Sequence, residues 1–184
     1  MFRRFRNPAL NASPLGPAQM QLLQQANQFI ASGQPGQAAP LFARLAGAME
    51  TGNHPRRAAN LHAQAAHAYA DSHAEQSALA HARSALTLFL QYQMVRRTPV
   101  FYANITRKLD NQKMPGAAEA LRKEFGAQVG AIPAAPVGAP SSPAHANLPT
   151  NCPKCGAPLH ANDANWIDAV TAECDYCGAA IRAG

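Results

Sequence analysis

The only cysteines of this sequence form two C-x-x-C pairs near its carboxyl end, Cys152/Cys155 and Cys174/Cys177, with eighteen residues between the pairs. A glycine follows each pair, and glycine tolerates the positive φ that a tight turn around a metal ion requires. Two such turns can direct four thiolates to one point, which completes the tetrahedral coordination of Zn²⁺ and leaves no position for water or substrate. The spacing therefore predicts a structural metal site.

The segment from Asn151 to Arg182 resembles a zinc ribbon, a small β fold, through its sequences CPKCGAPL and CDYCGAAI. Between the two pairs, residues Trp166–Ala172 alternate as a short strand does and lead into Cys174. A domain of about thirty residues buries too little apolar surface to fold unaided, so we expect metal binding to supply its folding free energy.

Two other uses of the four cysteines stay open at this point. The same ligands would suit a rubredoxin-like iron centre, which is the minor alternative to zinc. Two disulfides would require an oxidising compartment, but the amino-terminal residues MFRRFRNPALNASPLG carry charge without the apolar stretch of an export signal. We therefore expect a reducing, cytoplasmic location and one structural zinc ion.

Residues 17–126 predict an all-α domain, because they are rich in alanine and leucine and lack strand-like alternation. Proline and glycine indicate six helices, over Pro17–Ala31, Pro35–Met49, Pro55–Tyr69, Glu75–Gln93, a stretch from Thr98, and Pro115–Gly126. Gly33 should cap the first helix, and Pro40 is acceptable in the second only if that helix begins near Gln37. Ser72 and Glu75 have the spacing of a capping box for the fourth helix.

The helical sequence repeats at an offset of forty residues. Equivalent positions are Ala26 and Ala66; Phe29, Tyr69 and Leu109; Ala38, Ala78 and Ala118; and the turns Pro35-Gly36 and Pro115-Gly116. Such a period is typical of stacked helical hairpins. The first hairpin resembles a tetratricopeptide repeat at Ala26, Phe29, Gly33, Ala38 and Phe42, although the period exceeds the thirty-four residues of that family. A HEAT-like stack or a plain helical bundle is the alternative.

The tetratricopeptide resemblance implies three hairpins in a right-handed stack, whose concave face receives a segment of a partner protein. The expected organisation is a disordered basic tail over residues 1–16, the repeat domain over 17–126, a linker over 127–150 and the ribbon over 151–184. The linker has five prolines and no charged residue, so we expect the ribbon to move freely relative to the helices. Docking of the linker through its few apolar residues is the alternative.

Charge separates the two domains. Residues 17–130 carry eleven basic and six acidic side chains, whereas residues 131–184 carry two basic and four acidic ones. Phosphate repels an acidic ribbon, so a protein partner suits it better than nucleic acid. Any nucleic-acid surface should lie on the third hairpin, where basic residues gather near aromatic ones: Arg96, Arg97, Arg107, Lys108, Lys113, Arg122 and Lys123, with Tyr92, Phe101 and Tyr102.

Catalytic motifs are absent from the sequence: it has no nucleophile elbow, phosphate-binding glycine loop or paired zinc-binding histidines, and no small-molecule substrate is indicated. His62, His67, His73 and His81 lack helical ligand spacing and are expected to be packing or surface residues. No apolar run approaches the length of a membrane span. The sequence predicts a non-enzymatic adaptor or scaffold for protein–protein interactions. A nucleic-acid-associated factor is the alternative, and an iron redox carrier is a third possibility.

Overall fold

The computed structural model describes residues 15–133, 147–159 and 164–184. The predicted disordered tail over 1–16 and the central part of the predicted linker therefore lie largely outside the described residues. Six helices are present in the described residues, as predicted, and they form the helical array: α1 (Pro17–Ala31), α2 (Pro35–Thr51), α3 (Pro55–Asp71), α4 (Glu75–Gln91), α5 (Arg97–Asn111) and α6 (Pro115–Gly130).

Each of the first five helices ends in the same hydrogen-bonded turn. The backbone N–H of Gln34 donates to the Phe29 carbonyl at 2.8 Å across Gly33, which has φ 71°. This is a Schellman motif, and it recurs every twenty residues. The residues with positive φ in these five turns are Gly33, Asn53, His73, Gln93 and Lys113. The array is thus built from twenty-residue helix-and-turn units, two for each forty-residue hairpin.

Two predictions about the limits of the helices are wrong, namely that Pro40 requires a start near Gln37 and that the sixth helix stops at Gly126. The second helix begins at Pro35 and keeps Pro40 inside it, because burial of Ala38, Ala39 and Phe42 outweighs the loss of one backbone hydrogen bond. The sixth helix runs past Gly126 to Gly130, so the helical part of the chain extends into the predicted linker. Gly126 instead allows α6 to lie close to Tyr102 of α5, since a Cβ at this position would be 3.3 Å from the Tyr102 hydroxyl oxygen.

The predicted capping box at Ser72 and Glu75 is also wrong. Ser72 ends α3, and its hydroxyl donates to the Tyr69 carbonyl at 3.1 Å. Glu75 reaches to the next hairpin, where its Oε1 accepts the backbone N–H of Ala117 at 3.0 Å. A carboxylate on the first turn of α6 satisfies an amide that has no partner within the helix. Glu75 therefore connects two hairpins rather than capping its own helix.

Small side chains allow the helices to approach closely. Neighbouring helices pack in sequence, and α3 also contacts α5 while α4 contacts α6, so the second and third hairpins stack on each other. Alanines dominate these contacts and are fully or almost fully buried: Ala59, Ala66, Ala70, Ala78, Ala82 and Ala85. The array has the expected hairpin organisation; its membership of the tetratricopeptide class stays a prediction.

The C-terminal module, residues 147–159 and 164–184, contains a small antiparallel sheet in the order β1 (Asn165–Trp166), β2 (Thr171–Glu173) and β3 (Ala180–Arg182). The predicted single strand over Trp166–Ala172 is wrong, because the chain reverses between β1 and β2. The Asp168 Oδ1 accepts the Val170 backbone N–H at 2.9 Å and stabilises this reversal.

The module packs against the helical array, so the expectation of a freely moving ribbon is wrong for the described residues. One buried cluster includes Leu23 and Ala26 of α1 together with Cys155 and Ile181 of the module. This contact was not predicted, because the residues that meet are far apart in the sequence. Their hydrogen bonds position the cysteine site on the helices.

Candidate metal centre

The four predicted ligands converge on one point. Their sulfur atoms all lie within 4.8 Å of one another, and the Sγ atoms of Cys152 and Cys177 are 3.8 Å apart, as are those of Cys155 and Cys174. Sulfurs placed 2.3 Å from a metal at the corners of a tetrahedron are separated by about 3.8 Å. A disulfide requires about 2.05 Å, so these distances suit a metal ion and exclude disulfides in this conformation.

Two turns of matching geometry carry the sulfurs. In the first cysteine turn, Cys152–Gly156, the Gly156 N–H donates to the Cys152 carbonyl at 2.8 Å; in the second, Cys174–Gly178, the Gly178 N–H donates to the Cys174 carbonyl at 2.8 Å. The φ angles of the two glycines are 77° and 73°, as the sequence predicted for this position. The two turns thus share one backbone geometry, and each brings two sulfurs to the site.

Burial and mutual hydrogen bonding perturb the thiols. Each of the four cysteines is at most 2% exposed. Hydrogen bonds from Cys155 and the other two cysteines lower the pKa of Cys152, whereas the bond to Cys152 raises the pKa of Cys155. Four buried sulfurs thus compete for protons at one point. A divalent cation fits this donor set, because it takes the place of the protons and neutralises the thiolates.

Helix α1 binds the first cysteine turn through two side-chain amides. The Gln24 Nε2 donates to the Lys154 carbonyl at 2.7 Å, and the Asn27 Nδ2 donates to the Cys155 carbonyl at 2.7 Å. A Cβ at Gly156 would lie 3.5 Å from the Asn27 Cβ, so the backbone of the turn lies close to the helix. These contacts fix the turn that carries two of the four sulfurs.

Helix α3 binds the second cysteine turn with three side chains spaced along one face. Arg57 forms an ion pair with Glu173. The Asn60 Nδ2 donates to the Asp175 carbonyl at 3.4 Å, and the Gln64 Nε2 donates to the Tyr176 hydroxyl oxygen at 3.0 Å. Together with α1, this helix places the module on the face formed by the first helix of each hairpin.

Helix α5 completes that face through Arg97. Its guanidinium lies 2.5 Å from the Asp175 carboxylate and also donates to the Asn60 Oδ1 at 2.6 Å. Burial nevertheless raises the pKa of Asp175, and the positive charge of Arg97 offsets only part of that shift. The carboxylate therefore depends on Arg97 for most of the electrostatic compensation that it receives.

Sequence reasoning missed these docking residues. Gln24 and Asn27 are three residues apart on α1, and Arg57, Asn60 and Gln64 follow one stripe of α3. A polar stripe on a helix is normally solvated, but Asn60 is only 3% exposed. The opposite charges of the helical array and the ribbon were a second available signal, although it does not identify the pairs.

The basic residues of the third hairpin are partly committed to acids. Lys108 pairs with Asp71 and Arg122 pairs with Asp110, in addition to the Arg97 pair. Phe101 is 7% exposed and packs edge-on against Phe89. The Phe101 ring is therefore not available to stack on a nucleic-acid base. Because several of the basic residues pair with acids of the described chain, the basic surface is weaker than the number of its cations suggested.

The structure brings two histidines together that are distant in the sequence. His62 and His81 have their Nδ1 atoms 2.8 Å apart, and the His62 Nε2 lies 3.2 Å from the Glu50 Oε1. Burial lowers the pKa of His62 despite Glu50, so the neutral imidazole makes a hydrogen bond there. In the described part of the chain, the four cysteines are the only group of three or more ligand side chains close enough to hold a metal.

Comparison with known proteins returned nothing: no protein-family model, no curated protein and no solved structure matches this chain significantly. Among the described residues, no helix has the length and apolar character needed to cross a membrane.

Proposed function

We propose that this protein is a non-enzymatic adaptor for protein–protein interactions, in which a tetratricopeptide-like array carries a docked zinc ribbon. The observation that supports this most directly is the contact between the two parts. Helices α1, α3 and α5 bind a folded module through side-chain amides on backbone carbonyls and through arginines on carboxylates. These are contacts of the kind that protein-recognition surfaces use.

Zinc is the metal proposed for this site. Cys152, Cys155, Cys174 and Cys177 would hold it, since four thiolates form a closed tetrahedral set; iron with the same ligands is the minor alternative. When bound, the ion supplies the cross-link that keeps the two cysteine turns together. The turns then present Glu173 and Asp175 to the arginines of α3 and α5. A site of four free thiols suits a reducing compartment such as the cytoplasm, which is the location proposed here.

The reversal between β1 and β2 is the proposed contact for a partner. Its apolar residues Ile167 and Val170 are 55% and 39% exposed, respectively, at the tip of a module that is otherwise docked. Exposed apolar side chains that share one turn are candidate contacts for a protein interface. The adaptor would thus use its helices to hold the module and the tip of the module to bind a second protein.

Affinity capture with matched variants tests this function. The full chain is compared with Ile167→Ser/Val170→Ser and with Val100→Ser, which alters an apolar side chain 53% exposed on α5. Captured proteins are identified by mass spectrometry after nuclease treatment and a high-salt wash. Partners that survive both treatments and are lost only with the tip variant support the proposal.

The same experiment decides against it under a different outcome. Partners that disappear with nuclease or salt, and that both variants retain, would favour a nucleic-acid-associated factor acting through the basic helical surface. Partners retained by the full chain and by the tip variant alike would move the interaction away from Ile167 and Val170 and contradict the proposed contact.

A further inference from the structure

A cleft of about 340 Å³ opens where the beginnings of α3 and α5 meet the second cysteine turn. Six charged side chains line it, namely Arg56, Arg57, Arg96, Arg97, Glu173 and Asp175. Four guanidinium groups against two carboxylates leave an excess of two positive charges among the described residues that form its walls. The cleft therefore concentrates positive charge in a concave, partly enclosed space.

The arginines divide into two pairs. Arg57 and Arg97 hold Glu173 and Asp175, so oxyanions already occupy one side of the cleft. Arg56 and Arg96 are exposed, and neither forms an ion pair with any acid in the part of the chain that the structure describes. These two guanidinium groups are available to an anion from solution.

Arg56 reaches toward the chain segment that carries Arg96. Its Nη2 donates to the Tyr92 carbonyl at 3.3 Å, at the end of α4 and four residues before Arg96. In addition, the Nε of Arg57 is buried and has no hydrogen-bond partner among the described residues. The lining thus contains donors that the described protein does not satisfy.

Positive side chains are unfavourable where these arginines lie. Arg56 and Arg57 belong to the first turn of α3, and Arg96 and Arg97 begin α5. The amino end of a helix carries partial positive charge, which disfavours cations and favours anions. Arg56 and Arg96, which have no acid beside them among the described residues, therefore weaken these helix starts unless an anion compensates them.

We propose that this cleft binds the phosphate group of a phosphate monoester. Such a group carries about two negative charges and three acceptor oxygens, which matches the charge excess of the cleft. Arginine recognises phosphate with paired hydrogen bonds, whereas one additional carboxylate would neutralise only half of the excess. The proposal goes beyond the adaptor function and does not depend on it, because it stands on the cleft alone.

Two sources could supply the phosphate, either a small phosphorylated molecule or a phosphorylated side chain of a protein. Titration calorimetry on the full metal-loaded chain separates them with three probes: inorganic phosphate, a short phosphoserine peptide and the same peptide without phosphate. A phosphopeptide that binds at least about tenfold tighter than inorganic phosphate assigns the site to a protein ligand, and equal affinities assign it to a small one.

Matched variants locate the binding. Arg56→Gln/Arg96→Gln removes the two available arginines, and Arg107→Gln/Lys123→Gln removes two exposed cations outside the cleft with the same loss of charge. We expect the first variant to weaken phosphate or phosphopeptide binding at least about tenfold and the second less than about twofold. All four positions are exposed, so both variants should fold; loss of Arg56 and Arg96 from the helix starts should leave the melting temperature unchanged or raise it slightly.

Three results would overturn the proposal. The first is that neither inorganic phosphate nor the phosphopeptide binds at concentrations up to about 10 mM, because a dissociation constant above that value is too weak for a specific site. The two variants weaken binding equally, as expected for diffuse attraction by net charge. A single-stranded oligonucleotide binds tighter than the phosphopeptide, which would assign the cleft to nucleic acid.

Discussion

Arg97 and Asp175 lie 2.5 Å apart and join α5 to the second cysteine turn of the C-terminal module. The pair is mostly buried, with the two side chains 20% and 24% exposed. Burial raises the pKa of Asp175 even though Arg97 lies beside it. Loss of hydration therefore destabilises the charged carboxylate by more than the attraction of Arg97 stabilises it. Substitution of the two residues should consequently have unequal effects on stability.

Removing the arginine should cost more than removing the charge of the acid. Arg97→Gln leaves Asp175 buried without its counter-charge and should destabilise the docked module by about 2 kcal/mol, whereas Asp175→Asn should cost less than about 1 kcal/mol. Amide hydrogen exchange at Gly178, whose N–H is bonded within the second turn, reports the difference. A larger loss for Asp175→Asn would contradict this account of the pair.

The left-handed turn at Lys113 offers a stabilising substitution. Its φ is 60°, a conformation that costs a side chain about 1 kcal/mol relative to glycine. Lys113→Gly should therefore raise the free energy of unfolding by about 1 kcal/mol in urea titrations followed by helical circular dichroism. Gly33→Ala, at the equivalent turn of the first helix, should lower it by a similar amount. Changes of the same sign at both sites would refute the assignment of strain.

Histidines that are buried or partly buried should make the helical array sensitive to acid. Burial, and to a smaller extent the charge of Lys108, lowers the pKa of His67 from 6.5 to about 4. Between these two values, His67 binds a proton in the unfolded chain but not in the folded chain. The free energy of unfolding therefore falls as the pH falls from about 6.5 toward 4. The pKa values of His62 and His81 are lowered mainly by burial as well.

His67→Leu isolates this effect. Between pH 7 and pH 4.5, the wild type should lose about 2 kcal/mol more stability than the variant, measured by urea unfolding at each pH. Loss of metal in acid affects both proteins and cancels in the comparison. His73→Asn replaces an exposed turn histidine and should retain the wild-type dependence. If His67→Leu is as acid-sensitive as the wild type, burial of His67 does not control the loss of stability between pH 7 and pH 4.5.

Metal removal should unfold the module and leave the helices folded. Trp166 is the only tryptophan, and it lies in β1 opposite Ala172. A strong zinc chelator should shift its emission to the red, because the small sheet lacks a core sufficient to survive without the metal. Helical circular dichroism should change little, since the second and third hairpins have their own buried cluster. Added zinc should restore the spectrum; an emission maximum unaffected by the chelator would separate metal binding from folding.

The cysteine site could be predicted because its determinants are local. Metal coordination requires particular side chains, and the turn needs a glycine directly after Cys155 and Cys177, so adjacent letters of the sequence contain the evidence. The six helices could be predicted for the same reason, because proline and glycine mark most of their ends.

The docking could not be predicted because its determinants are distant and mostly uncharged. The partners Asn27 and Cys155 are 128 residues apart, and an amide that binds a backbone carbonyl leaves no recognisable pattern. The twenty-residue period was hidden in a similar way. Only Gly33 among the five turn residues is a glycine, while Asn53, His73 and others adopt the same φ without a common side chain.

We expect the metal-loaded module and the helices to form one rigid body in solution. Backbone ¹⁵N relaxation on the zinc-loaded chain measures this, because a docked module must tumble with the helices. We predict one rotational correlation time for amides of α3, such as Leu61, and for the module amides Cys155 and Gly178. A distinctly shorter correlation time for the module would mean that it moves independently, and would contradict the contacts that α1, α3 and α5 make with it.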